Sequence, residues 1–261
     1  MTILKHELRQ GRTSFLIWTG VIGVMLSVCV FLYTEVRGEM DAVTDLFSSF
    51  GSFTAAFGMD RLNFGTLVGF YAIECGSMLG LGGAFYAAIS AVSILSKEEV
   101  NKTADFLLSH PISRRRILLE KLLAILTQLT LMNLIVLAMS VVSILIIGEA
   151  IPWTELLLLH LAYYLLQLEI AGICYGISAF VKRGSVGIGL GIAVLFYFTN
   201  LISNLTESAG FLKYFTPFSY CDGANIIADK KLDLGLIAIG AAACLVGIAA
   251  AWFRYDRKDI T

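Results

Sequence analysis

Two acidic residues, Glu74 and Glu169, interrupt long apolar runs of this 261-residue sequence. A charge at the centre of a bilayer costs about 2.5–3.5 kcal/mol on insertion scales, so such groups usually face a bundle interior or a water-filled cavity. Both carboxyls are therefore candidates for a substrate pathway, and a protonated or paired structural role is the alternative for each. The polar side chains that could bond with them inside the apolar runs are Gln128, Asn133 and Gln167.

Other chemistry finds little support in the residue types and their spacing. No GxxxxGK[ST] motif occurs, so the chain lacks a phosphate-binding loop and any energy from ATP must come from a partner. His6, His110 and His160 are far apart and no CxxC spacing exists, which argues against a metal site. The net charge of −1, without a basic arm, gives no indication of nucleic-acid binding. We predict that the chain is not an enzyme and holds no cofactor of its own.

One long charged stretch, Ser96 to Lys121, separates two apolar runs. Its charged residues are Lys97, Glu98, Glu99, Lys102, Asp105, Arg114, Arg115, Arg116, Glu120 and Lys121. In the middle lies an apolar turn, Phe106–Leu108, which Pro111 closes because proline ends a helix near the preceding residues. An apolar knob surrounded by charge is typical of a loop that docks into a cytosolic partner.

The composition predicts a polytopic membrane protein in which helices position these residues. Hydrophobic residues make up 57% of the chain and charged residues 15%, whereas a soluble domain would carry about 25% charge. Apolar runs of about 20 residues match the hydrocarbon thickness of a bilayer. We expect an all-α, single-domain protein (1–261) with six spans at about 14–33, 67–95, 117–147, 155–181, 185–204 and 233–253.

Further patterns complete the expected architecture. Residues 1–13 have apolar residues on one side and charged residues on the other, which predicts a short amphipathic helix that lies at the membrane interface. The segment 205–232 is aromatic, which favours a pair of re-entrant or interfacial short helices at the membrane boundary. Small residues in the second span, including Gly76, Gly80 and Gly83, predict close packing against another helix.

The distribution of basic residues predicts the orientation. Fourteen of the 19 lysines and arginines lie in the N-terminal segment, the 96–121 stretch, the short turn at 182–183 and the C-terminal tail. The opposite loops carry the remaining five. Because cytoplasmic loops are enriched in Lys and Arg, both termini and the charged stretch are predicted to be cytoplasmic.

The segment EVNKTADFLLSHPISR (99–114), with Ile117 and Lys121 after it, resembles the cytoplasmic signature of type-2 ABC transporter (ABC-2) permeases. That signature runs roughly E…GT.E.LL..PVSR..I…K. Weaker similarities are KHELRQGRTSFLIW near the N-terminus, FTPFSYCDG at 215–223 and FRYDRKDI at 253–260. The resemblance covers the whole chain in the expected order. One departure is Lys102, where the family often has glycine.

The resemblance implies a permease with an N-terminal elbow helix, a coupling helix between spans 2 and 3, and external re-entrant helices between spans 5 and 6. It also implies two copies of a cytosolic ATP-binding subunit, which bind the ATP and Mg²⁺, and a second permease copy or paralogue. The setting would be the lipid of a bacterial plasma membrane. The implied coupling residues are Glu98, Glu99, Thr103, Asp105, Phe106, Leu107, Leu108, Pro111 and Arg114.

The function implied by the resemblance is ATP-driven export of an amphipathic compound, a peptide antibiotic or a lipid. One alternative is a membrane scaffold or sensor whose loop binds a partner without transport. Another is a secondary transporter that uses Glu169 and Glu74 directly. The sequence contains no internal repeat of the kind that many secondary transporters carry.

Overall fold

The structure is a computed structural model that describes residues 2–39, 51, 54, 56, 61–100, 113–181 and 186–257. Within these ranges the chain is helical and contains no strand. Eight helices carry labels here: α1 Thr2–Gln10, α2 Arg12–Val36, α3 Leu67–Val92, α4 Arg114–Ile146, α5 Trp153–Ser178, α6 Val186–Leu205, α7 Gly223–Asp229 and α8 Leu234–Arg257. Shorter helical turns lie at Arg37–Glu39, Lys97–Val100, Glu207–Phe215 and Pro217–Cys221.

Six of these helices, α2 to α6 and α8, are long and apolar enough to span a membrane. This confirms the predicted all-helical protein with six candidate spans. The helix ends lie within four residues of the predicted ones; α4, for example, begins at Arg114 rather than at 117. The hydropathy of the sequence is sufficient for this result because each span is a nearly uninterrupted apolar run.

Polar side chains fix where several helices begin. The Thr66 hydroxyl accepts a hydrogen bond from the Gly69 amide (3.2 Å) at the start of α3, and the Ser113 hydroxyl accepts one from the Arg116 amide (3.4 Å) at the start of α4. Such N-caps satisfy backbone donors that the first helical turn leaves free. At the other end of α4, Gly148 adopts a positive φ of 76°, which glycine tolerates and which reverses the chain towards α5.

Helix α5 is the centre of the bundle. It packs against α3, α4 and α8, and the short helices that follow α6 cover its beginning. Helix α6 packs on α3, and α2 packs on α4. The outer faces of α2, α6 and α8 remain exposed and apolar, as expected of helices that face lipid.

The middle of α3 departs from α-helical geometry. Its residues Leu67–Cys75 and Gly83–Val92 are α-helical, and Gly76–Gly82 between them form a π-helix. The predicted close packing of this small-residue segment occurs against α5. A side chain at Gly80 would come within 2.9 Å of the Tyr163 ring, and one at Gly83 would collide with the Gln167 amide.

The bundle has two sides, which we name for reference. The termini side contains α1, the turn Lys97–Val100, the start of α4 and the end of α8. The loop side contains the turn Arg37–Glu39, the α4–α5 connection and the short helices between α6 and α8. The predicted coupling turn 103–108 would belong to the termini side but lies outside the described residues.

Candidate functional site

Lys121 is fully buried at the termini side and joins three parts of the chain. Its ammonium donates to Glu7 Oε1 on α1 (3.1 Å), to the Ile94 carbonyl beyond α3 (2.7 Å) and to the Glu98 carboxylate. Lys97 forms a second ion pair with Glu7. We call these four residues, Glu7, Lys97, Glu98 and Lys121, the Lys121 cluster. All three ammonium donors of Lys121 have acceptors, which burial of a lysine requires.

The electrostatics of the Lys121 cluster favour a charged Glu7. Burial by itself would raise the pKa of this carboxyl, but the positive charges of Lys121 and Lys97 outweigh burial and hold the pKa below its ordinary value of 4.5. Burial, followed by the charge of Lys121, lowers the pKa of the Lys97 ammonium. Two acidic and two basic side chains thus balance in a largely desolvated space, which is the condition for burying ions stably.

Further contacts hold both ends of the charged stretch. Glu120 accepts hydrogen bonds from the Leu4 amide of α1 (3.0 Å) and from the Arg116 guanidinium (2.9 Å). Arg114 donates to the Tyr255 carbonyl at the end of α8 (3.1 Å). The segment 101–112 therefore leaves one fixed end near Glu98 and returns to another at Arg114.

The predicted coupling residues are only partly within the described chain. Glu98 lies in the Lys121 cluster, Arg114 reaches α8, and Glu99 belongs to the turn Lys97–Val100. Outside the described residues are Thr103, Asp105, Phe106, Leu107, Leu108 and Pro111. Their coupling role stays a prediction.

Three of the predicted pathway residues form hydrogen bonds between helices in the interior. Gln128 of α4 accepts from the Tyr86 hydroxyl of α3 (3.0 Å). Asn133 of α4 donates to Gln167 Oε1 of α5 (2.6 Å), and Gln167 donates onward to the Leu79 carbonyl in the π-helix (3.1 Å). That last bond reaches a backbone carbonyl where the helical register changes. These amides tie α3, α4 and α5 together.

Glu169 lies on another face of α5 and has different neighbours. Its buried carboxylate lies against Gly240 of α8, where any side chain would collide with it, and its Oε2 has no hydrogen-bond partner within the described ranges. The buried Tyr220 hydroxyl likewise has no hydrogen-bond partner among the described residues. Gln128, Asn133 and Gln167 all bond elsewhere, so the structure does not bring the predicted amide partners to Glu169.

Glu74 lines a cavity of about 300 Å³ on the loop side. We call it the loop-side cavity; α3, α5, α6 and the short helices after α6 form its walls. Its polar and aromatic lining includes Glu74, Ser77, Tyr163, Tyr197, Asn200, Asn204, Phe218 and Asp222. The Glu74 carboxylate accepts a weak hydrogen bond from the Cys29 thiol (3.4 Å). Of the five predicted pathway residues, Glu74 is the one that lines this cavity.

Several structurally important residues were not singled out from the sequence. Glu7 lies in the predicted amphipathic segment 1–13 without a role of its own, and Lys121 is predicted only as part of the charged stretch and of the family signature, not as a buried ion-pair partner. The motif GICYG (172–176), with two glycines four residues apart, was a readable signal for close helix packing. His160, whose Nε2 is 2.7 Å from the Tyr71 hydroxyl, gave no such signal.

The described residues contain no group of three or more His, Cys, Asp or Glu side chains arranged to hold a metal ion. What the described part of the chain does contain is a six-span bundle, a buried ion cluster at the base of the charged stretch and a polar cavity on the loop side. These features suit a protein that moves solutes across a membrane.

Comparison with known families agrees with this architecture. The family described as ABC-2 family transporter protein matches residues 1–260, nearly the full length of the chain. No individual curated protein matches it. Because the family match covers the whole bundle, including the segments that carry the sequence resemblance, the chain belongs to the ABC-2 transporter family and is a multi-pass membrane permease.

Proposed function

We propose that this chain is the permease subunit of an ATP-driven exporter and that a separate cytosolic ATP-binding subunit acts on its termini side. Two copies of that subunit, with ATP and Mg²⁺, would serve a pair of permeases in the plasma membrane. The cargo would be an amphipathic compound, a peptide antibiotic or a lipid. Family membership supports the permease role, and the lysine and arginine distribution supports a cytoplasmic termini side.

The observation that carries the proposal is the fixation of the charged stretch at both of its ends. Lys121 joins the stretch near Glu98 to α1 and α4, and Arg114 joins its other end to α8. The residues that flank the segment 101–112 are therefore bonded to α1 and α8 as well as to α4, so a displacement of these flanks would act on three helices. A partner needs such contacts if its movement is to change helix packing.

The mechanism then follows from linkage. Closure of the ATP-binding dimer on ATP would displace the segment around Phe106, Leu107 and Leu108, and this would favour one packing of the spans over another. ATP can drive the change only to the extent that the ATP-bound partner binds the two packings with different affinity. Hydrogen bonds from side-chain amides hold α3, α4 and α5 together at the centre of the bundle. Helices α6 and α8 have exposed outer faces, so fewer contacts restrain their movement.

The test is ATPase activity of the permease reconstituted in lipid with its ATP-binding partner. Changing Phe106, Leu107 and Leu108 together to Ala should abolish the stimulation of the partner's ATPase activity by the permease and weaken the complex of the two subunits. The matched control changes three exposed apolar residues of the loop side, Leu145, Ile146 and Trp153, to Ala.

The control should keep both stimulation and complex formation. If the 106–108 variant copurifies with the ATPase and stimulates it as well as the unmodified chain, the coupling proposal is wrong and the scaffold alternative becomes the better explanation. Both variants should first be shown to be monodisperse and folded.

A further inference from the structure

Among the described residues, one carboxylate of the loop-side cavity has no basic side chain beside it. Asp222, at the rim, pairs with Arg61 (2.7 Å) and also caps the Asn225 amide (3.1 Å). Glu74 has only the Cys29 thiol, a weak donor, within hydrogen-bond distance in the described part of the chain. No lysine or arginine is among the described residues that line the cavity. Glu74 is therefore available to pair with a cationic group of an occupant.

A second side of the same cavity carries a hydrogen-bond acceptor that has no donor in the described part of the chain. The side-chain oxygen of Asn200, on α6, is buried and has no hydrogen-bond partner in the part of the chain that the structure describes. Leaving such an atom unsatisfied costs about 1–3 kcal/mol. Glu74 on α3 and Asn200 on α6 line the same cavity from different helices, and of the two the Asn200 side-chain oxygen lacks a donor among the described residues.

Aromatic rings form the remaining part of the lining. Tyr197 and Phe218 pack edge to face with centroids 5.4 Å apart, and Tyr163 is held by its hydroxyl bond to the Cys221 carbonyl (3.0 Å). Aromatic faces attract cations and also accept alkyl chains. The volume of about 300 Å³ is at the lower end of small-molecule sites, so a head group with part of a chain fits better than a folded peptide.

We propose that the loop-side cavity binds the protonated amine head of an amphipathic molecule, with Glu74 as the ion-pair partner and Asn200 as a second acceptor. This rests on the proposed export function and narrows the cargo class. An ammonium supplies a charged donor to Glu74, which otherwise has only the weak Cys29 thiol, and a donor to Asn200, while its alkyl chain lies along the aromatic rings. The amine can belong to a free alkylamine or to an aminophospholipid head group.

The test measures binding of radiolabelled octylammonium to the full-length permease by equilibrium dialysis in maltoside micelles, with empty micelles subtracted. We expect Glu74→Gln to raise the Kd about tenfold or more, because it removes a charge-assisted contact. Octanol, which has the same chain without the charge, should bind weakly to both. The matched control is Glu35→Gln, an exposed carboxylate at the end of α2 outside the cavity, and it should leave the Kd unchanged.

A second variant covers the case in which Glu74→Gln fails to fold. Asn200→Leu keeps the side-chain size but removes the acceptor, and it should weaken octylammonium binding about threefold to tenfold without affecting octanol. Octyl sulfate competing as well as octylammonium would overturn the proposal. Unchanged octylammonium binding in Glu74→Gln, or an equal loss in Glu35→Gln, would also overturn it.

Native mass spectrometry separates the two sources of the amine. Glu74-dependent retention of phosphatidylethanolamine over phosphatidylglycerol would identify a lipid head group, and octylammonium binding without that preference would identify a free amine. These measurements need no ATPase. If amine binding depends on Glu74 but the ATP-binding partner has no effect on the permease, the proposed export function is wrong and the amine site stands. If the permease stimulates the partner's ATPase activity but binds no amine, the amine site is wrong and the export function stands.

Discussion

Lys121 shows how a single buried charge can organise one end of a membrane bundle. Its ammonium group has no solvent exposure, and its acceptors come from α1, from the chain after α3 and from the turn that begins the charged stretch. A buried ion pair gives little net stability compared with a well-packed apolar core. The ion pairs of Lys121 instead fix the relative positions of α1, α4 and the chain after α3, because Lys121 can be buried only when its three acceptors come together.

Lys121→Met should therefore destabilise the permease by about 3–5 kcal/mol, since it leaves the Glu7 and Glu98 carboxylates buried without this partner. The measurement is unfolding in a mixed-micelle denaturant titration. The matched control, Lys230→Met, removes an exposed partner of Glu155 and should change stability by about 0–1 kcal/mol. Adding Glu98→Gln to Lys121→Met, which leaves the Glu7–Lys97 pair balanced, should recover most of the loss; failure to recover would mean that packing rather than charge is responsible.

Glu7 makes the same region sensitive to acid. Its folded pKa is lowered relative to the ordinary 4.5, so its stabilising contribution is complete above pH 4.5 and is lost as the pH falls through the folded value. The difference in thermal midpoint between the unmodified chain and Glu7→Gln should be positive at pH 7 and shrink towards zero in acid. A constant Glu7→Gln difference down to the acid limit would contradict the assignment.

At the scale of the helix, glycines decide how closely α5 and α8 approach. Gly172 and Gly176 lie one turn apart on α5, and a side chain at Gly176 would come within 2.6 Å of the Gly247 carbonyl oxygen of α8. Contacts of this kind replace the hydrophobic effect as the force between helices in lipid, because the lipid is as apolar as the side chains.

Gly176→Ala should force the two helices apart and destabilise the permease by about 1–3 kcal/mol in the same denaturant titration. Gly191→Ala is the matched control. It lies within α6, nothing lies within 4 Å of the added methyl position, and alanine favours helix, so its effect should be neutral or slightly stabilising. Equal effects of the two substitutions would show that α5 and α8 are not held by close backbone contact.

The positions of the helices along the chain could be predicted well from the sequence, but the direction in which each helix face points could not. Apolar length alone locates a span, so the six spans were readable. Which face of a span meets which neighbour depends on packing. The expectation that Gln167 could bond with Glu169 overlooked that residues two apart on a helix point in different directions. In the structure Gln167 faces the π-helix of α3, and Glu169 faces Gly240 of α8.

At the scale of the whole molecule, α4 connects the two sides of the bundle. Its 33 residues correspond to about 50 Å of helix, so its first turns extend beyond a hydrocarbon core of about 30 Å. Lys121 lies in these first turns, and the amides Gln128 and Asn133 lie farther along and bond to α3 and α5. The same α3 carries Glu74 into the loop-side cavity. Rigid contacts thus run from the charged stretch to the proposed amine site.

If the two sides communicate through these contacts, nucleotide and amine must influence each other equally. In the complex with the ATP-binding partner, a non-hydrolysable ATP analogue should change the Kd of octylammonium by a factor of about 5–150, and octylammonium should change the Kd of the analogue by the same factor. Glu7→Gln, which weakens the Lys121 cluster, should reduce both factors together, whereas Glu35→Gln should preserve them. Unequal factors would show that the two ligands are not at equilibrium with the same pair of states. Factors of one in the unmodified complex would mean that nucleotide binding and the loop-side cavity are independent, because a ligand that binds both packings equally cannot shift either.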